Sequence, residues 1–324
     1  VLFDELHKFP RWKQFLKGFY DKNSDRCRMI VTGSSRLDAY QRIGDSLMGR
    51  YFLYRMHPFS VAETLNTALP DVKKILRDPL AVNEEEFQAL WDHGGYPDPF
   101  LKRDKRFSLR WQQLRMKQLV REDLRELTQI QQLDQMAILA KLLQQRSGQQ
   151  LVYSNLAKEI RVSVDTVRRW VDTLVNVHHG FLVRPWHKNV SRSLRKEPKW
   201  FSRDWSTIQD SGARAETFVA CHLLKAVDGW NDLGLGNFEL GYLRDTEKRE
   251  VDFVVVRDGT PWFLLGVKTA KSRLSDSLAY FQKQTSAPHA FQVVLTDPFV
   301  DADPFARPGA PLSVPARTFL SQLL

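Results

Sequence analysis

The chain has 324 residues, 43% of them hydrophobic and 27% charged, a balance that excludes a disordered or fibrous protein and allows two or three domains. A formal net charge of +10 favours polyanionic partners, which bears on steering and solubility rather than on fold. Two cysteines far apart, Cys27 and Cys221, exclude a disulfide framework, and no apolar run approaches the length of a membrane span. Neither cysteine has a partner at zinc-ligand spacing, so no zinc site is expected. Charges run through the first twenty positions, which argues against a signal peptide; a cytoplasmic protein without membrane association is expected. Position 1 is Val rather than Met, so the native start is expected to be upstream, cleaved or absent.

Val1-Leu2-Phe3 runs directly into Asp4 and Glu5. An apolar run ending in carboxylates is the pattern of a buried parallel strand that delivers acids to its C-terminal edge. Phe9, Trp12, Phe15, Leu16 and Phe19 then fall at helical spacing and predict a helix to about residue 20. Met29-Ile30-Val31 predicts a second strand, ending in Thr32-Gly33-Ser34-Ser35. Strand, helix and strand in that order imply a parallel pair with a right-handed crossover. Carboxylates and hydroxyls then end on the same sheet edge, which suits a phosphate and its metal.

On these residues the chain resembles a widespread prokaryotic family of predicted AAA-type ATPases with a C-terminal domain of unknown function. Val1 to Glu5 resembles a Walker B strand, and Ile30-Val31-Thr32-Gly33-Ser34-Ser35 the sensor-1 strand. Ser46-Leu47-Met48-Gly49-Arg50-Tyr51 and His57-Pro58-Phe59-Ser60-Val61-Ala62-Glu63 resemble the segments that follow. The resemblance implies that Asp4 holds Mg²⁺ and Glu5 acts on the attacking water. It implies that Ser34 or Ser35 senses the γ-phosphate, and that Arg50 faces nucleotide in cis or from a neighbouring subunit of a homo-oligomer. A salt-bridged surface arginine is the alternative for Arg50; Arg36 and Arg42 are weaker candidates. ATP and Mg²⁺ are therefore the implied cofactors. The departure is that the sequence contains no Gly-rich phosphate loop ending in Lys-Ser/Thr. ATP binding is expected to be weak or absent, as in a truncated or degenerate member of the family.

A helical connector is predicted next, with helices at 61–76 (interrupted at Leu69-Pro70), 83–90, 107–127 and 133–145. Asn83 is the expected cap of the second, and the His93-Gly94-Gly95-Tyr96-Pro97 turn carries no chemistry. Residues 152–160, capped by Ser154, and residues 164–174 form a helix-turn-helix pattern, with small Ala157 where the two helices cross. Phe181-Leu182-Val183 is the candidate wing. In a DNA reader the second helix presents Ser163, Asp165, Thr166, Arg168 and Arg169, the two arginines suiting phosphate contacts. Packing or partner contact is the alternative use of the same motif.

Beyond Trp200-Phe201-Ser202-Arg203-Asp204, a helix at 213–226 is followed by strands at 241–244, 250–256 and 262–268, a helix at 274–284 and a strand at 291–295. This order resembles the PD-(D/E)xK nuclease fold, a restriction-endonuclease-like α/β architecture. By that resemblance Glu216, Asp252 and Lys268 match three of its four site positions, and Gln282 could face the same cleft. The fourth, a glutamate, is Gly266, which leaves a degenerate site. Residues 297–324 are expected to be an irregular tail with a helix at 317–323.

The fold class expected is thus α/β, in four parts. Residues 1–62 are the C-terminal part of a parallel-sheet nucleotide-hydrolase core, and 63–148 a helical connector. Residues 149–198 are a winged helix-turn-helix, and 199–324 a nuclease-like domain. The leading function is an AAA-type ATPase of unknown client, compromised without a phosphate loop. The alternatives are a non-enzymatic DNA- or partner-binding module using the winged helix and, disfavoured by Gly266, a Mg²⁺-dependent nuclease.

Overall fold

The computed structural model describes residues 1–6, 9, 11–33, 47, 49–65, 75–119, 124, 132–187 and 197–324. Among these, two sheets form. The first is small: β1 (Leu2–Phe3) pairs parallel with β2 (Ile30–Val31) across helix α1 (Trp12–Asn23). Its apolar contacts are aromatic. Phe3 meets Phe15 and Phe19 edge-on at 5.7 and 5.2 Å, and Phe9 packs on Phe15 at 5.6 Å. No residue of α1 is buried.

Short helices follow: α2 (Val61–Leu65), α3 (Glu84–His93), α4 (Pro97–Lys102) and α5 (Lys105–Gln118). Asn83 caps α3 by accepting from Glu85 N at 2.9 Å. Next come α6 (Leu133–Gln145), α7 (Tyr153–Ile160) and α8 (Val164–Asn176), which share a core built on Leu139, Leu156, Trp170 and Leu174. The cap expected at Ser154 is not formed, because that residue lies inside α7 and Val152 occupies the cap position. Ser163 is the capping side chain of the pair, accepting from Thr166 N at 3.1 Å.

The second sheet has the order β4-β3-β5-β6-β7-β8-β9. Strand β3 (Gly180–Pro185) pairs antiparallel with β4 (Lys199–Ser202). Helix α9 (Ser211–Asp232) leads to β5 (Phe238–Arg244), which lies parallel beside β3. The candidate wing is therefore continuous with the C-terminal sheet. β6 (Glu250–Arg257) and β7 (Thr260–Lys268) form a hairpin turned by Asp258 and Gly259, both at positive φ (49° and 80°), a conformation glycine adopts without strain. Helix α10 (Asp276–Thr285) returns the chain to β8 (His289–Val294), parallel to β7.

Period-two alternation places a helix on each face. Phe253, Val255, Phe263 and Leu265 point into one core with Phe218, Leu223 and Trp230 of α9. Val254, Val256 and Leu264 point the other way, onto Leu278 and Phe281 of α10. The irregular tail expected after residue 297 is corrected in part: β9 (Leu312–Pro315) extends the sheet parallel to β8, and α11 (Ala316–Ser321) buries Phe319 and Leu320 completely. Its prolines lie mostly outside these elements, which hides the strand from a pattern search.

The segment at 55–63 straps onto α9 in single file. Arg55 pairs with Asp232 at 2.7 Å, His57 Nε2 lies 3.0 Å from Asp228, and Lys225 donates to the Pro58 carbonyl at 2.9 Å. Val61 N donates to His222 Nε2 at 3.0 Å, and Glu63 pairs with Lys225. The glycine turn accommodates the strap: Phe59 N donates to Gly95 O at 2.7 Å, and a Cβ at Gly95 would stand only 2.7 Å from Phe59 O.

Candidate functional site

Two places gather carboxylates, one in each sheet. In the small sheet the ladder runs Ile30 N to Val1 O (2.9 Å) and Thr32 N to Phe3 O (2.8 Å), so the ends of β1 and β2 lie side by side. The Thr32 hydroxyl donates to Asp4 Oδ1 at 2.5 Å. Asp4 is exposed, and Glu5 follows in a left-handed turn at φ 51°. A carboxylate and a hydroxyl at one open edge fit a Mg²⁺ ion that keeps several waters, with Asp4 as its protein partner. When bound, such an ion neutralises phosphate charge. The hydroxyl placed on Asp4 belongs to Thr32; Ser34 and Ser35 lie outside the described residues, as do Arg36 and Arg42. Arg50 Nε donates to Asp21 Oδ1 at 2.9 Å, on the last turns of α1.

In the helix-turn-helix pair, Val162 N closes the turn on Ala157 O at 3.1 Å, with Arg161 left-handed at φ 56°. Val167, Trp170, Val171 and Leu174 are the buried face of α8, which leaves Asp165, Arg168, Arg169 and Asp172 exposed. The Arg168 guanidinium stacks over Tyr153 at 4.5 Å. The Ser163 and Thr166 hydroxyls, 2.9 Å apart, engage each other at the cap.

The second carboxylate cluster joins three elements. Glu216 comes from α9, Asp252 and Glu250 from β6, and Lys268 from the end of β7. Asp252 Oδ2 accepts from Val267 N at 2.8 Å. A Cβ at Gly266 would stand 3.9 Å from that same oxygen, so position 266 borders the cluster without contributing a ligand. Gln282 is not turned to this cleft; its amide donates to the carbonyls of Ala287 and Gly309 at 3.2 and 2.8 Å.

Sequence reasoning missed Lys199. Its ammonium lies 2.5 Å from Glu250 Oε1 with the side chain 4% exposed, and the other Glu250 oxygen accepts from Arg244 at 2.7 Å. Burial alone would lower the lysine's pKa, but the charges of Glu216, Asp252 and Glu250 outweigh it and the pKa is raised. Burial pushes the Glu216 carboxyl up to about 7, helped by the charge of Asp252 and opposed by Lys199. Burial also raises Asp252, against Lys199 and the Val267 amide. The only signal for Lys199 was a lysine beside Trp200 and Phe201 in a short apolar strand. Among the described residues no three or more His, Cys, Asp or Glu side chains gather as a metal site. Burial pushes the Cys221 thiol up to about 12, which keeps it protonated at neutral pH.

Comparison with known proteins finds family matches over three stretches of the chain. Residues 1–65 match a family described as AAA domain. Residues 84–209 and 211–300 match two families described as domains of unknown function, DUF8612 and DUF4143 respectively. An uncharacterized protein of Mycobacterium bovis and one of Mycobacterium tuberculosis are each 22% identical over 285 residues, covering 86% of this chain and 60% of their own length. The chain thus spans less than two thirds of the curated relatives it matches. No solved structure matches it significantly. Among the described residues, no helix is long and apolar enough to cross a membrane.

Proposed function

We propose that residues 1–65 form the metal-and-water side of an AAA-type ATP site, in an ATPase whose client is unknown. One observation carries this reading: parallel strands β1 and β2 end together, with the Thr32 hydroxyl on Asp4. The match of this stretch to an AAA domain supports it. In this reading Asp4 holds Mg²⁺ through water, Glu5 orients the attacking water, and Ser34 or Ser35 meets the γ-phosphate. Arg50 reaches nucleotide only by releasing Asp21. The sequence contains no phosphate loop, so these 324 residues alone are expected to bind ATP weakly.

The test begins in the gene. Codons immediately upstream of Val1 that encode a Gly-rich loop ending in Lys-Ser/Thr support the reading. In a protein that carries such a loop, Glu5→Gln should abolish ATP turnover while leaving ATP binding intact, and Asp4→Asn should weaken Mg²⁺-dependent binding. No such codons, together with no Mg²⁺-dependent binding of a fluorescent ATP analogue, would sink it.

A second reading rests on the exposed Arg168 and Arg169 of α8. In it the winged helix binds DNA or a protein partner without catalysis. Here DNA affinity should fall steeply with salt, and Arg168→Ala with Arg169→Ala should flatten that slope by about one ion for each phosphate left unneutralised.

A further inference from the structure

The buried carboxylates Glu216, Asp252 and Glu250 lie around a cation that the fold itself supplies. Lys199 enters from β4, the edge strand, and its ammonium lies 2.5 Å from Glu250 Oε1. The Tyr242 ring stands 5.3 Å from that nitrogen. The ring is itself fixed: its hydroxyl donates to Glu197 O at 2.7 Å and accepts from Gln150 at 2.8 Å. On the far side, the turn at Gly148 closes over Glu216, where a Cβ would come within 3.1 Å of Oε2. Glu216, Asp252 and Glu250 face three cationic side chains, Lys199, Lys268 and Arg244. Three acids set against three cations leave no excess negative charge to draw an added ion.

We propose that the Lys199 ammonium, paired with Glu250, is the resident cation of this cleft and makes a divalent metal there unnecessary. Mg²⁺ and Mn²⁺ require several oxygen ligands, of which this cluster lacks the one position 266 would supply. A fixed ammonium also repels a second cation while satisfying Glu250, the acid it touches. The lysine is covalently tethered, so it cannot be removed by chelators or dilution. The Lys199–Glu250 pair thereby ties β4, the edge strand, to β6 across the sheet.

The test uses the full chain and Mn²⁺ alone as the probe, read by the loss of free-ion electron paramagnetic resonance signal. The wild type should show no binding that depends on Asp252. Lys199→Gln, which keeps bulk and removes charge, should bind Mn²⁺ about tenfold more tightly than the wild type, and Asp252→Asn should erase the gain. Wild-type binding that Asp252→Asn abolishes would overturn the proposal, as would a folded Lys199→Gln with no gain. A measurement on the unmodified protein guards against a variant that fails to fold. Lys199 should resist an amine-acylating reagent, located by peptide mass spectrometry, equally with and without millimolar Mg²⁺. Reactivity that rises with Mg²⁺ would mean that the metal displaces the lysine, and the proposal would fail.

Discussion

Two apolar strands in this molecule deliver acids to a site, with opposite physical results. Asp4 ends a two-residue strand whose neighbours Leu2 and Ile30 are 65% and 63% exposed. Its carboxylate faces water with one hydroxyl for company. Asp252 sits in an eight-residue strand between two covered faces, held by a backbone amide and surrounded by charge of both signs. An acid on an open edge can keep its solvent and bind an ion that arrives from solution. An acid inside a covered sheet has lost that solvent and needs a partner supplied by the fold. The difference separates an acid open to solution from one whose partners the fold supplies.

The sharpest way to break this comparison is to remove matched aromatics. Phe253 is fully buried between α9 and the sheet, so Phe253→Ala should cost about 4 kcal/mol in chemical denaturation. Phe15 is 39% exposed, and Phe15→Ala should cost under about 1 kcal/mol in the same experiment. Equal losses would show that the small sheet belongs to the same cooperative core.

Next in size is the resident cation. Lys199→Ala strands Glu250 and its neighbours without their buried partner and should cost about 3 kcal/mol, measured by the same unfolding curve. A smaller effect is expected at the strap between the two regions. The His57 ring accepts from Arg203 at 2.7 Å and reaches Asp228, so His57→Ala should cost about 2 kcal/mol and speed proteolysis within 51–56. Unchanged proteolysis would mean that the strap is held elsewhere.

How much of this was legible in the sequence depended on where the information lay. The order α9-β5-β6-β7-α10-β8 was readable because period-two runs, a helical stripe and an Asp-Gly turn are local signals. Asp252 and Glu216 were nameable because each lies on such an element. Lys199 was not, because its meaning comes from Glu250 and Glu216, on elements packed against it from elsewhere in the chain. The continuity of β3 with β5 was likewise invisible, since strand pairing across an intervening 22-residue helix leaves no local mark. Thr32 was read as one of a run of hydroxyls; only the register of β1 on β2 assigns it to Asp4.

The smallest expected effect is also the most specific, because it has a sign. Burial raises the Glu216 carboxyl from its ordinary value of 4.5 to about 7, so the folded state binds its proton more tightly than the unfolded chain does. Its contribution to stability is full below pH 4.5 and is lost as pH rises towards 7. Three histidines act the other way. Burial lowers His178, His179 and His222 from 6.5 to about 4, so their contribution is present above pH 6.5 and lost as pH falls towards 4. His222 is held neutral on structural grounds as well: Nδ1 faces the Phe218 carbonyl and Nε2 accepts from Val61 N. Burial lowers His57, His93 and His289 as well, so the lowered histidines outnumber the raised carboxyls of Glu216, Asp252 and Asp204, and wild-type stability should rise with pH. Glu216→Gln removes one opposing titration and leaves the buried, raised carboxyls of Asp252 and Asp204 in place, so the rise should steepen by up to about 1.4 kcal/mol per pH unit, one proton's worth. Denaturant midpoints taken through that window measure the slope. An unchanged slope would mean that Glu216 titrates alike in the folded and unfolded chain, and the contrast between a buried acid site and an open one would lose its electrostatic basis.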